Sequence, residues 1–429
     1  MIKSILSKIY YKINFFSEKI SIWYERYFSI FLSKFVYFPY MLLERYFIKK
    51  NFYFLINISE GIGHVFLELA SFDFKYNNNK FNLKKDCKLI LVYKESEIVN
   101  TVMNTYFASL PHIKYIKSNL IFYALLPLFI RNNKELIIDI GCGEQTYSLV
   151  NTNKIKRGTN KSIIFTGIRF RKREEFKELA KQNIENHDSK NIYDCFFNKL
   201  QITKKDLDEF KNIGIKDKIT VLIHINERSV NACARPLSPI TYLKLIEYIH
   251  SKDYQLVFIG REKYPEVFKK YNIINYPGSN IVGTYNDLKL FKFAEYSIIN
   301  ASGLASIPRY LNKYYMYINA WHIDNRLESE KCIMLPTLIS SKQNNQYNLY
   351  NLRVQANLQN TYFQPENIKD KEIDAPEDID LLNCFKELEE LKKGNFIPNN
   401  KQIILKSELN CTKSYISKSF IERKKIVIN

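Results

Sequence analysis

Short apolar runs recur along the chain, each closing on a glycine or a polar turn and each followed by a stretch that reads as helix. NFYFLINI runs into the turn SEGIGH and then VFLELASF, and CKLILVY, ELIIDIG and SIIFTGI follow at intervals. A run of that length, bounded by turn residues, fits a strand buried on both faces, and strands that alternate with helices build a parallel sheet. A second series begins at TVLIHI and continues through ITYLKLIEYIHSKD, YQLVFIG, YSIINAS, LASIPRYLN and YYMYINA. The pattern therefore predicts an α/β protein: two Rossmann-like domains in tandem, facing a cleft. With 429 residues the chain is too long for one ordinary core, which agrees with two domains plus extensions.

The punctuation between the series sets the expected boundaries. Residues 1–50 interleave aromatics with Lys and Arg and form a helical N-terminal extension; 51–170 form the first Rossmann-like domain; 171–214 form a charged helical connector, in which Thr203 is placed to cap a helix starting at Lys204. Residues 215–340 form the second Rossmann-like domain. Residues 341–429 hold an Asn/Gln-rich segment, an acidic helix in APEDIDLLNCFKELEELKK and a basic tail. In the extension, the apolar stretch from Tyr27 to Leu43 is broken by Lys34 and Pro39 and falls short of the roughly 20 residues that span a bilayer. Two readings stay open for it: a segment lying on an anionic membrane surface, or a helix packed on the protein's own core. The run LIFYALLPLFI reads as a buried helix.

The formal charge is +20, but Lys rises together with Ile, Asn, Tyr and Phe, so part of the excess is compositional. No zinc-finger spacing, basic heptad helix or other nucleic-acid signature accompanies it, and no nucleic-acid partner is expected. Seven cysteines stand singly with no C-x-x-C pair, which predicts reduced thiols and no structural zinc. The N-terminus lacks a compact apolar segment followed by a small-residue cleavage site. The expected location is cytoplasmic, with peripheral contact at the inner face of the membrane if the extension lies on lipid.

One motif argues for a different chemistry. ELIIDIGCGEQTYS, Glu135 to Ser148, has the apolar run, acid and G-x-G of an S-adenosylmethionine loop. Gly141 and Gly143 are present, yet the third small position is Gln145, and the following run ends in Arg169, Arg171, Lys172 and Arg173, where an acid would be needed for ribose hydroxyls. The charge there is opposite to what that cofactor requires.

In open α/β sheets ligands bind outside the carboxyl ends of the strands, which directs attention to four loops. GIGH, Gly61 to His64, follows the first strand, with Gly61 and Gly63 permitting close approach and Glu60 beside them. HINER, His224 to Arg228, follows the first strand of the second series. GRE, Gly260 to Glu262, and NASGLASIP, Asn300 to Pro308, end two further strands. Ser302 and Gly303 at a helix start favour an anion, and Arg261 could add a charge-assisted bond to it.

These segments together resemble a family of bacterial glycosyltransferases linked to surface polysaccharide synthesis. The features that carry the resemblance are GIGH, the helix entry before NIGI, the strand ending at His224, the strand ending in I-G, and the SGLASIP loop, over about Asn51 to Asn319. The resemblance implies a GT-B architecture, a nucleotide-sugar donor held mainly by the second domain, and a glycan or lipid-linked acceptor entering from the first. It implies donor contacts from Gly61, Gly63, His224, Asn226, Arg228, Gly260, Arg261, Asn300, Ser302, Gly303 and Leu304. It also implies a base, His64 by position, with Glu60 and Glu227 in reserve, and no metal or permanently bound cofactor. The chain departs from the family in one place: Asn226 stands where Arg is usual two residues after the strand-end His. Either Arg228 serves from a shifted position or phosphate binding is weakened, so an inactive homologue remains among the alternatives. The others are a methyltransferase and a nucleotide-sugar epimerase.

Overall fold

The computed structural model describes residues 52–57, 66, 69, 88–93, 102, 114–117, 137–139, 200–225, 237–260, 262–300, 302–320, 329–341, 347, 371–409 and 414–428. The chain divides into two compact units, Met1–Ile192 and Tyr193–Asn429. The N-terminal extension, the run LIFYALLPLFI and the run SIIFTGI lie outside the described residues.

In the first unit β1 (Phe52–Asn57), β2 (Lys88–Tyr93), β3 (Lys114–Lys117) and β4 (Ile137–Asp139) form a parallel sheet in the order β3-β2-β1-β4. Three of these strands are the apolar runs of the sequence, whereas β3, KYIK, is half lysine and takes its place by pairing with β2. Phe66 and Leu69, three apart in a helical stretch, are both fully buried, as two residues on one helix face should be.

The second unit contains, in chain order, α1 (Lys204–Asn212), β5 (Thr220–His224), α2 (Leu243–Ser251), β6 (Gln255–Ile259), β7 (Ile273–Asn275), α3 (Thr284–Phe293), β8 (Tyr296–Asn300), α4 (Ser306–Tyr310), β9 (Tyr314–Ala320), β10 (Cys332–Pro336), β11 (Leu338–Ser341), β12 (Lys371–Asp374), α5 (Asp378–Lys393), α6 (Asn400–Glu408), β13 (Tyr415–Ile416) and α7 (Lys418–Arg423). Seven strands make one parallel sheet in the order β13-β10-β9-β8-β5-β6-β7, and β11 pairs antiparallel with β12 apart from it. Starting from β5, the chain adds strands to one edge as far as β7, then returns to the other side of β5 and adds β8 onwards. That is the doubly wound arrangement. Every residue of β5, β8 and β10 is buried, which is why these strands read as unbroken apolar runs.

Two helices show how the sheet is covered. Thr203 caps α1 as its sequence implies: its hydroxyl accepts from the Asp206 N–H, and the Asp206 carboxylate accepts from the Thr203 N–H at 2.7 Å. Asp206 then receives Lys289 of α3 at 2.5 Å in a buried ion pair. Helix α5 buries Leu381, Cys384, Phe385 and Leu388, an i, i+3, i+4, i+7 stripe, against α2 and the strands β9 and β10. Its buried Glu389 accepts from the phenols of Tyr248 (2.6 Å) and Tyr254 (3.0 Å). It stops at Gly394, whose left-handed φ of 77° lets the chain turn away.

The sequence reading sets residues 171–214 apart as a connector and 341–429 apart as a helix and tail. In the structure the division falls after Ile192, α1 belongs with the second unit, and the late segment completes that unit's core, with β13 forming an edge of its sheet.

Candidate functional site

The seven-stranded sheet reverses its direction of growth between β5 and β8, and the carboxyl ends of the strands at such a reversal are where open α/β sheets take ligands. The register fixes what reaches it. His224, last in β5, lies opposite Ile259 on one side and Ile299 on the other, so Gly260 and Asn300 emerge one residue beyond their neighbours at the same level. The three strand-end loops of the second unit chosen from sequence therefore begin side by side.

His224 is 2% exposed. Its Nε2 stands 3.5 Å from Oε2 of Glu262, while Nδ1 is sealed from water and has no hydrogen-bond partner. Gly260 fits against the same ring: a Cβ there would lie 2.7 Å from His224 Cδ2 and 2.6 Å from Glu262 Oε2, and φ is 113°. Only glycine combines that backbone with that proximity. Asn300 is buried and donates its amide to the Tyr242 hydroxyl at 3.4 Å. Burial alone pushes the Tyr242 phenol far above its ordinary value, so it stays a neutral hydroxyl.

The SGLASIP loop has a more compact form than a simple helix start. Gly303–Ala305 make a 3-10 turn that leads into α4, and the Ser302 hydroxyl accepts from the Leu304 N–H at 3.2 Å. That N–H is thereby occupied by the cap, and the Ala305 N–H by the Ser302 carbonyl at 3.2 Å. Among the described residues the Gly303 N–H has no recorded hydrogen-bond partner, and Gly303 is exposed.

Asn226, Glu227, Arg228 and Arg261 of this unit lie outside the described residues, as do Glu60, Gly61, Gly63 and His64 of the first. In the first unit the order of strands also reverses, between β1 and β4. The segment holding Glu60 to His64 leaves β1, and the one holding Gly141 and Gly143 leaves β4, so both start from that reversal. IID is thus the fourth strand of its sheet, whereas the S-adenosylmethionine loop leaves the first. Sequence reasoning reached Glu262 only as the end of the GRE loop, with no role assigned to it, and missed Tyr242. Glu262 had a visible signal, an acid two residues beyond the strand-end glycine; Tyr242 had none, since its role depends on the chain folding back under Asn300.

Among the described residues no three His, Cys, Asp or Glu side chains are grouped so as to hold a metal, and no helix is long and apolar enough to cross a membrane.

No protein-family model and no curated protein sequence matches the chain. Among solved structures it is similar to the ADP-heptose LPS heptosyltransferase II of E. coli, at 12% identity and a TM-score of 0.42, over 68% of this chain and 92% of that one. It is similar also to a family 9 glycosyl transferase of Veillonella parvula, at 10% identity and a TM-score of 0.42, over 80% and 98%. A UDP-GlcNAc 2-epimerase of Methanocaldococcus jannaschii, solved with UDP-GlcNAc and UDP, gives 12% identity and a TM-score of 0.32, over 66% and 89%. Likeness at this level fixes no activity.

Proposed function

We propose that the chain is a glycosyltransferase of GT-B type that moves a sugar from a nucleotide-sugar donor to a surface glycan or a lipid-linked acceptor. The observation that carries the reading is the convergence of His224, Gly260, Asn300 and the Ser302–Gly303 turn at the reversal of a doubly wound parallel sheet. That is where such sheets take nucleotides, and the same loops carry the family resemblance in sequence.

The chemistry follows from what the reaction needs. As the bond from sugar to diphosphate breaks, negative charge grows on the leaving phosphate, and groups aimed at that charge lower the barrier. In this reading the Gly303 N–H, Arg261 and Arg228 supply them. A base must accept the proton of the acceptor hydroxyl if the configuration inverts, and His64 takes that role, with Glu60 and Glu227 in reserve. Gly61 and Gly63 let the donor approach the loop of the first unit closely. The acceptor's lipid, where it has one, would bring the enzyme to a membrane surface.

Titration of the purified protein with ADP, UDP, their sugar conjugates and S-adenosylmethionine tests the reading. A nucleoside diphosphate or its sugar conjugate is expected to bind, and Arg261→Ala combined with Gly303→Val to abolish that binding. Binding of S-adenosylmethionine that is lost in a folded Gly143→Val variant would establish the methyltransferase alternative instead.

A further inference from the structure

The orientation of the His224 ring carries a consequence for what the site at the strand ends can accept. The Cδ2–Nε2 edge faces β6, because a Cβ on Gly260 would lie 2.7 Å from Cδ2 and 3.3 Å from Nε2. Glu262, two residues beyond Gly260, stands on that same edge at 3.5 Å from Nε2. Nδ1, across the ring from that edge, therefore turns away from Gly260. That Nδ1 makes no hydrogen bond and is shut off from water, in a side chain 3% exposed. A buried polar atom with no partner is uncommon in folded proteins and costly, and it calls for a partner the chain does not supply.

Glu262 settles which kind of partner. A carboxylate accepts hydrogen bonds and does not donate them, so the nitrogen that faces it carries the ring hydrogen, and a neutral imidazole with hydrogen on Nε2 has its lone pair on Nδ1. A phosphate oxygen would meet that lone pair with another. A hydroxyl would donate to it.

We infer that Glu262 and His224 form a dyad in which Nδ1 accepts a hydrogen bond from a hydroxyl of the bound donor, on its ribose or on its sugar. The inference rests on the reading of the second unit as the nucleotide-sugar site and adds Glu262 to it as a positioning residue acting through His224. The 3.5 Å separation is longer than a full hydrogen bond, and it shortens when a ligand hydroxyl draws on Nδ1.

The test compares the full-length protein with His224→Phe, which keeps a ring but no lone pair, and with Glu262→Leu and Glu262→Gln. Each is titrated with UDP, ADP, their 2′-deoxy and 3′-deoxy counterparts, and UDP- and ADP-sugars, with thermal melting to establish folding. If the hydroxyl is on the ribose, wild type loses about tenfold in affinity for one deoxy probe and His224→Phe shows no such difference. If it is on the sugar, His224→Phe weakens the sugar conjugate and leaves the diphosphate unchanged. Glu262→Leu is expected to follow His224→Phe, and Glu262→Gln, which still presents an accepting oxygen, to follow wild type. Histidine-selective nitrogen-15 spectra of wild type give a second reading: the resonance missing in His224→Gln should be that of an Nε2–H ring, and an Nδ1–H ring would overturn the dyad. A folded His224→Phe that discriminates among all probes as wild type does would overturn it as well. Failure of every nucleotide to bind wild type would overturn the glycosyltransferase reading itself, and the dyad with it.

Discussion

Gly260 shows how much one residue can decide. Its φ of 113° and the 2.7 Å that a Cβ would leave to the His224 ring make Gly260→Ala a double fault, in backbone and in packing. The substitution is expected to cost about 1–3 kcal/mol in a chemical denaturation curve. It should also weaken nucleotide binding, because the ring that must yield is that of His224, which ends β5 at the reversal of the sheet. The glycine was legible in sequence as a strand-end turn, and so was His224. What was not legible is that the two touch, because that depends on the register between β5 and β6, which no local pattern encodes. A different residue bears on the acceptor side. If His64 is the base, His64→Ala should lower turnover about 10²–10⁴-fold in a steady-state assay while donor affinity stays nearly intact. Unchanged turnover would move the role to Glu60 or Glu227.

At the scale of elements, the sequence was most informative where a strand is buried on both faces and least informative where an element owes its existence to a partner. β5, β6, β8 and β9 were all visible as apolar runs, and the capping of α1 could be read from Thr203 and the residues after it. β7 has three residues and β13 two, too few for any periodicity, and each is held by the strand beside it. Helix α5 was recognised for its acids, yet the stripe from Leu381 to Leu388 that buries it was equally present in the sequence and carries more of the fold. Helix α1 offers the sharpest element-level prediction. Asp206 serves both its capping box and the buried pair with Lys289, so Asp206→Asn should destabilise the unit by about 3–5 kcal/mol, since it strands a buried ammonium. Replacing both partners by apolar residues should cost less than either single change. Burial pushes the Asp206 carboxyl up, but the bonds from Lys289 and Thr203 outweigh it and hold the group below its ordinary value. The stability it contributes is therefore complete above the ordinary carboxylate range and fades as pH falls through the lowered folded value. Acid melts of wild type and the apolar double variant should converge at low pH.

For the whole molecule, the late part of the chain closes the second unit. Phe385 is fully buried, with ring contacts to Tyr248 of α2 at 6.4 Å and to Tyr296 of β8 at 5.4 Å. Phe385→Ala should lower stability by about 3–5 kcal/mol, read from the midpoint of chemical denaturation, a result out of keeping with a detachable tail. The charge of +20 belongs to the same scale. If residues 1–50 lie on lipid, their Lys and Arg contribute about 1 kcal/mol each near an anionic surface, an attraction that salt screens within a Debye length. Full-length protein should then float with phosphatidylserine-containing vesicles at low salt and sediment at high salt, whereas neutral vesicles should leave it in solution. Protein lacking residues 1–50 should fail to float under either condition while keeping its affinity for nucleotide, because in the proposed reading the donor is held mainly by the second unit. Equal flotation of the two forms would show that the extension packs on the protein itself and that the basic surface of the remaining chain is what meets the lipid.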